Sequence, residues 1–521
     1  MKTFLYSLLL ILPPSAISTH SNLSHVLQSD PPLVQTTAGL ISGMTNASGD
    51  VHIFKGIPFA AAPVGNLRWK EPQAVTPWKG IRKCDKFGPN AMQNRPIPSG
   101  AYGPEILIPE DVKISEDCLY LNVWTPARQT GEKRPVIVVI HGGAFSGGSG
   151  AVPVLDGEET AKKGIVVVTI NYRLGIFGFL AHPALSKESP HHVSGNYGIL
   201  DQIAAMNWIK QNIAAFGGDP ENITANGGSA GSCSVLIMIA SPLGKGLFKR
   251  AISESGPMFA PDQCLTLQQA EEEGMTTMSK NNADDLLAMR AIPAEVLLKD
   301  THFRSPIVDG YVLQNQILDI FTKGQQNDVD LLIGYNTGDA FITNELLTAA
   351  AFKAEAQKNY GAKTDAFLQH YPAHTDEEAA QSQLYISRDK TFALGNYTWA
   401  KYQVSHTKCK VWFYYFSHAV PGNPNYGAFH GAQGAYALHN LDKWDKPFTD
   451  WDRTLSNKMN DYWITFAATG NPNGKGRPYW PAFTIKETKV LQFGDQISTI
   501  PLPAIPTFEF FTIHNDTPDN H

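Results

Sequence analysis

Residues Gly227-Gly228-Ser229-Ala230-Gly231 constrain this chain more than any other stretch. The run Ile223-Thr224-Ala225-Asn226 before them reads as a strand, and Ser232 to Met238 after them as an apolar helix. Small residues flanking a serine at a strand-to-helix turn let neighbouring backbones approach closely and allow the turn to be strained. A helix starting behind that serine points its free N–H groups at any negative charge that develops there. Taken alone, the five residues could also be a glycine-rich turn with no chemistry. The surrounding elements decide between the two.

Pro135 to Ile140 is a β-branched apolar run that ends in His141-Gly142-Gly143-Ala144-Phe145. Ile165 to Ile170 is a second such run, and Leu331 to Gly334 and Val411 to Phe416 read the same way. Continuous Val/Ile content of this kind suits strands covered on both faces, as in a mostly parallel sheet. Between Gly195 and Phe216, Ile199, Ile203, Met206, Ile209 and Ile213 recur at three- and four-residue steps, which predicts a helix closed by Gly217 to Pro220. Strands alternating with helices give a doubly wound α/β sheet, with reactive residues at the carboxyl ends of its strands. Stretches at about 257–330 and 340–410, rich in Ala, Glu, Gln and Lys at helical spacing, read as helical insertions or a cap over that sheet.

The chain has 521 residues and a net charge of −6. Lysine and arginine do not cluster into runs, so nucleic acid and anionic membrane surfaces are not expected partners. Lys2, the apolar run Phe4 to Leu12 and the small residues to Ser18 resemble a cleavable signal peptide. The expected organisation is therefore a leader over 1–18 and a single domain over 19–521, secreted or periplasmic, without stable membrane insertion. Five cysteines, Cys84, Cys118, Cys233, Cys264 and Cys409, leave at least one thiol unpaired within the chain. N-x-S/T triplets stand at Asn22, Asn46, Asn222, Asn396 and Asn515.

Several ordered motifs resemble the type-B carboxylesterase family of α/β-hydrolases. They begin at Phe54-Lys55-Gly56-Ile57-Pro58-Phe59-Ala60 and Leu67-Arg68-Trp69, and continue through Ser115-Glu116-Asp117-Cys118-Leu119-Tyr120-Leu121-Asn122-Val123-Trp124. They close with Gly470-Asn471-Pro472-Asn473-Gly474 and Trp480-Pro481. The resemblance implies an α/β-hydrolase fold: a large, mostly parallel central sheet flanked by helices, with helical insertions forming a cap. It also implies a serine esterase that needs no cofactor or metal and acts on small-molecule esters.

On that resemblance Ser229 occupies the position of the nucleophile. A serine hydroxyl needs a base to take its proton and a third group to orient the base. His430, in Ala428-Phe429-His430-Gly431-Ala432, matches the family's histidine loop; His418 and His439 are the rivals. The family usually places a glutamate in the third role. Here Gly334-Tyr335-Asn336-Thr337-Gly338-Asp339-Ala340 puts Asp339 there, with Asp309 and Glu345 as alternative acids. Aspartate is one methylene shorter, so its loop must come roughly an ångström closer to keep a hydrogen bond of about 2.8 Å. The oxyanion donors expected are the N–H groups of Gly143, Ala144 and Ala230.

Three departures from the family pattern narrow the reading. Gly228 stands where the family commonly has glutamate, which takes a carboxylate from the pocket floor and disfavours a cationic group there. Ile108 replaces the tryptophan that cholinesterases use for quaternary ammonium, so choline esters are not the expected substrate. Met92 stands where the family's disulfide partner of Cys118 would be, with Cys84 one substitute to consider. A non-catalytic adhesion module on the same fold and a lipase for long-chain esters are the rival functions. Acyl and alcohol preference, biological substrate and oligomeric state are not legible.

Overall fold

Val166 to Ile170 is buried at every position, and Val136 to Ile140 likewise. Each Val or Ile so covered contributes roughly 1.5–3 kcal/mol, enough to hold such runs inside a layered sheet. The structure, a computed structural model, describes residues 31–515 except 257, 260–262, 284 and 342–344. The signal-peptide reading and Asn22 lie outside the described residues, as does the side chain of Asn515.

The main sheet has eleven strands. Along the chain they are β1 (Met44–Thr45), β2 (His52–Pro58), β3 (Tyr120–Thr125), β4 (Arg134–Ile140), β5 (Val166–Ile170), β6 (Gly218–Gly228), β7 (Arg250–Glu254), β8 (Asp330–Asn336), β9 (Val411–Phe416), β10 (Lys489–Phe493) and β11 (Ile497–Pro501). Their spatial order is β11-β10-β9-β8-β7-β6-β4-β5-β3-β2-β1. From β10 to β5 neighbouring strands run parallel; β11 at one edge and β3, β2 and β1 at the other are antiparallel. The fold is that of an α/β-hydrolase.

The predicted helix appears as α1 (Tyr197–Asn212), extended by a 3₁₀ turn and stopped at Gly217, whose φ is +77°. The next strand begins at Gly218, so residues assigned above to the helix stop already belong to β6. Helix α2 (Ala230–Ala240) follows the elbow serine directly. Further on, α3 (Gln433–Ala437) and α4 (Asp450–Thr469) cover the face carrying Ile252, Leu332 and Trp412. Both stretches read as insertions are helical, with helices at Leu267–Lys280 and Leu286–Ala291 in the first and Ala349–Tyr360, Asp376–Arg388 and Leu394–His406 in the second.

Glycine is required where the elbow meets the first active loop. A Cβ on Gly231 would collide with the Ile140 carbonyl oxygen, and one on Gly142 would lie 2.7 Å from the Gly228 carbonyl oxygen. Only unsubstituted backbone allows β4 and β6 to end this close together.

All five cysteines are free thiols, so Cys84 does not replace the missing partner of Cys118. Both are buried in the same core, and burial pushes the Cys84 thiol up to about 11. Asn396 is fully buried and donates to the Phe392 carbonyl oxygen at 2.9 Å, which removes it as a glycan acceptor. Thiol titration of the denatured, unreduced protein is expected to return five thiols per chain. A lower count would reveal a bridge and overturn this packing.

Candidate active site

Ser229 stands between β6 and α2 with φ +55° and ψ −123°, a conformation that an L-residue enters only under constraint. The constraint is visible. Its N–H donates to the Glu254 carbonyl oxygen on β7 at 2.8 Å, and its own carbonyl oxygen accepts the Cys233 N–H at 3.0 Å. One strand further, Ser255 repeats the pattern with φ +55° and an N–H bond to the Gly334 carbonyl oxygen at 3.0 Å. Consecutive strand ends are thus tied into a ledge that carries the serine.

Asp339 and His430 meet as the resemblance implies. The Asp339 Oδ1 atom lies 2.8 Å from His430 Nδ1, and the other carboxylate oxygen accepts the Asn336 N–H at 2.6 Å. The shorter acid reaches because its loop is pinned to the histidine loop. Gly338 and Phe429 pair as an isolated parallel bridge, and the Gly338 N–H donates to the Ala428 carbonyl oxygen at 2.9 Å. The carboxylate holds the proton on Nδ1 and leaves Nε2 as the free acceptor. That Nε2 is buried and has no hydrogen-bond partner among the described residues. No hydrogen bond joins it to Ser229 in this state.

The imidazole is clamped. Phe392 stacks on it at 4.6 Å between centroids and Phe341 meets it edge-on at 4.8 Å, both from the second insertion. Phe392 is presented by a five-residue π-helical stretch, Asp389–Ala393. Tyr102 donates to the His430 carbonyl oxygen at 3.2 Å.

The rival residues have other work. Asp309 accepts the N–H groups of Tyr311, Val312 and Leu313 and caps a turn. Glu345 is exposed. His418 does have a carboxylate, Asp452 at 2.8 Å, and His439 bonds Ser456 at 3.0 Å, but neither histidine lines the cavity that holds Ser229.

That cavity measures about 510 Å³ and is lined by Ser229, His430, Gly143 and Ala144, with Ile106, Leu107 and Ile108 on an apolar wall. Gly143 and Ala144 have φ of +112° and +51°, a left-handed pair that turns the loop after β4 back across the serine. No hydrogen bond among the described residues uses the N–H of Gly143, Ala144 or Ala230. His141 braces the loop: its ring stacks on Tyr172 at 4.4 Å, its Nδ1 bonds the Gly142 carbonyl oxygen at 2.8 Å, and burial lowers its pKa to about 4. It is neutral at pH 7.

The model of the carboxylesterase family matches residues 30–504 of this chain. The chain belongs to the carboxylesterase family. It is 35% identical over 494 residues to fumonisin B1 esterase of Sphingopyxis macrogoltabida, covering 90% of this chain and 88% of that one. It is 33% identical over 489 residues to para-nitrobenzyl esterase of Bacillus subtilis (strain 168), covering 88% and 94%. Acylcarnitine hydrolase of Rattus norvegicus is also 33% identical, over 480 residues, covering 85% and 83%. As a member of the carboxylesterase family, the chain is a carboxylic-ester hydrolase.

Glu254 is the residue that sequence reasoning missed. The absence of the carboxylesterase glutamate at Gly228 suggested a floor without a carboxyl. Glu254 nevertheless pairs with Gly228 across the β6–β7 register, is buried, and lines the same cavity. Its carboxyl accepts from Trp463 Nε1 at 2.9 Å and Gln433 Nε2 at 3.2 Å, and burial pushes its pKa up to about 7. The only signal in the sequence was an acidic residue at the end of an apolar strand.

Between an unfolded value near 4.5 and the folded value near 7, the native state holds a proton that the unfolded chain has released. Stability from this group therefore falls as pH rises through that window. Glu254→Gln carries no such proton. Its stability relative to the wild type is expected to improve by about 3 kcal/mol between pH 4.5 and pH 8 in urea melts. A constant difference would mean that Glu254 titrates like a solvated carboxyl.

Proposed function

We propose that Ser229 is the nucleophile of this esterase, His430 its general base and acid, and Asp339 the group that orients and stabilises the imidazole. The observation that carries this is the free, buried Nε2 of a carboxylate-held histidine in the same cavity wall as the elbow serine. Catalytic hydrogen bonds are often long before substrate binds, and closure of Oγ onto Nε2 belongs to the substrate complex.

Oγ attacks the ester carbonyl while Nε2 takes its proton. The oxyanion forms against the unused N–H groups of Gly143, Ala144 and Ala230, each worth about 2.7–4 kcal/mol to the barrier. Collapse of the tetrahedral intermediate expels the alcohol, which leaves with the proton from Nε2. Water then enters, loses a proton to Nε2 and attacks the acyl-enzyme, releasing the acid and restoring Ser229. A cavity of about 510 Å³ suits small-molecule esters.

Ser229→Ala is expected to lower kcat on p-nitrophenyl esters by roughly 10⁵ to 10⁶, and Asp339→Asn by roughly 10⁴ with the fold intact. Stopped-flow mixing should release a burst of p-nitrophenol wherever deacylation is the slower step. Full turnover in Ser229→Ala would overturn the assignment.

We also propose export, on the strength of Lys2, the apolar run Phe4 to Leu12 and the small residues up to Ser18. N-terminal sequencing of protein recovered outside the cytoplasm should begin near Thr19. A chain retained inside with its first residues intact would count against export.

A further inference from the structure

Side chains two apart on a strand share a face, and registered neighbours in a parallel pair share it too. Asn226 and Gly228 on β6, Val139 opposite Asn226 on β4, and Glu254 opposite Gly228 on β7 therefore all face α3 and α4. All of them line the cavity beside Ser229, together with Gln433 and Leu438. The missing side chain at position 228 leaves the entrance open: a Cβ there would meet nothing closer than the Glu254 carbonyl oxygen at 4.0 Å. Below the nucleophile the cavity thus continues as a shaft along the sheet face.

The polar lining of the shaft comes from Asn226, Glu254 and Gln433. Asn226 is 4% exposed, and its Oδ1 has no hydrogen-bond partner among the described residues. A buried acceptor left this way bears its desolvation cost until something donates to it. Glu254 adds a second acceptor. Both of its oxygens receive protein donors, Trp463 Nε1 and Gln433 Nε2, and no described Lys, Arg or His forms an ion pair with it. Gln433 cannot turn round to offer its oxygen instead, because its Oε1 already accepts from Asn336 Nδ2 at 2.5 Å. An amide oxygen without a partner and a carboxyl without a counter-charge, both on residues that line this space, complement a donor, and the carboxyl tolerates one that is also positive.

We propose that this shaft is a substrate subsite for a hydrogen-bond-donating group, a hydroxyl or a protonated amine, carried on the alcohol portion of the ester. The alcohol side is indicated because the departing oxygen must sit against His430 Nε2 to receive its proton. Gln433, three residues beyond His430, roofs the shaft on that side. The inference rests on the catalytic roles proposed above and goes beyond them to substrate class. It also reverses the sequence-based expectation that Gly228 leaves the floor without acidic character.

The test is kcat/KM for four butyrate esters of similar length: butyl, 3-hydroxypropyl, 3-(dimethylammonio)propyl and 3-(trimethylammonio)propyl. The hydroxypropyl and dimethylammonio esters each donate a hydrogen bond and separate the neutral source from the charged one. The trimethylammonio ester is a cation without a donor. At least one donor-bearing ester is expected to exceed both the butyl and the trimethylammonio ester by roughly tenfold. Asn226→Leu removes an acceptor that no described residue satisfies, so its Tm should not fall, while the ratio of donor-bearing to butyl ester should drop toward one. Glu254→Gln, which keeps the shape, should reduce the dimethylammonio ratio more than the hydroxypropyl ratio.

Equal turnover of all four esters by the wild type would overturn the subsite while leaving the catalytic assignment intact. So would wild-type ratios in both variants. Failure to hydrolyse any of them, with Ser229→Ala indistinguishable from the wild type on p-nitrophenyl esters, would remove the catalytic assignment and the subsite with it.

Discussion

The hydrogen bond from the Ser229 N–H to the Glu254 carbonyl oxygen, 2.8 Å long, joins the elbow to the next strand. Without it the left-handed serine would relax into the helix behind it or the strand before it, since such backbone conformations cost of order 1–3 kcal/mol. The surrounding glycines serve the same join. Gly231 lets the Ile140 carbonyl approach, and Gly142 lets the first active loop lie against Gly228. A parallel sheet ends all of its central strands on one side, so one well-placed tie aligns the loops that line the cavity.

A second chain of contacts runs through the acid. Glu254 accepts from Gln433, Gln433 accepts from Asn336, Asn336 donates its backbone N–H to Asp339, and Asp339 holds His430. Each amide in this series has its orientation set by the next, so the network stays rigid only while it is complete. The histidine and the floor of the cavity are in this way held by one continuous set of hydrogen bonds.

What the sequence made legible follows from how strongly each residue's environment dictates its type. Strands buried on two faces announced themselves through Val and Ile, and β4, β5, β8 and β9 lie within a residue or two of their expected bounds. The last two strands at that side of the sheet, β10 and the antiparallel edge β11, were not read, because Lys489 to Pro501 mixes polar and apolar residues as half-covered strands must. Asp339 was legible only through the resemblance to the carboxylesterase family, whose acid stands at the same remove from the glycine that closes the strand, here Gly334. Phe392 and Phe341 were not found, since nothing in a helical insertion tells which of its aromatics will touch a histidine dozens of residues later. Glu254 was missed for a related reason: its role comes from its strand neighbour Gly228, and register is invisible until strands are paired.

The aromatic clamp on His430 ties together two parts of the molecule, the helical insertion and the histidine loop. The segment from 340 to 410 supplies Phe341 to the lining of the cavity and, through Phe341 and Phe392, the bearing in which the imidazole sits. The lining of the cavity and the seat of the imidazole are therefore mechanically coupled. A transplanted segment from another esterase would import not only a new lining residue but a new seat for the ring, and chimeras that swap it must carry a matching aromatic pair or let the imidazole wobble.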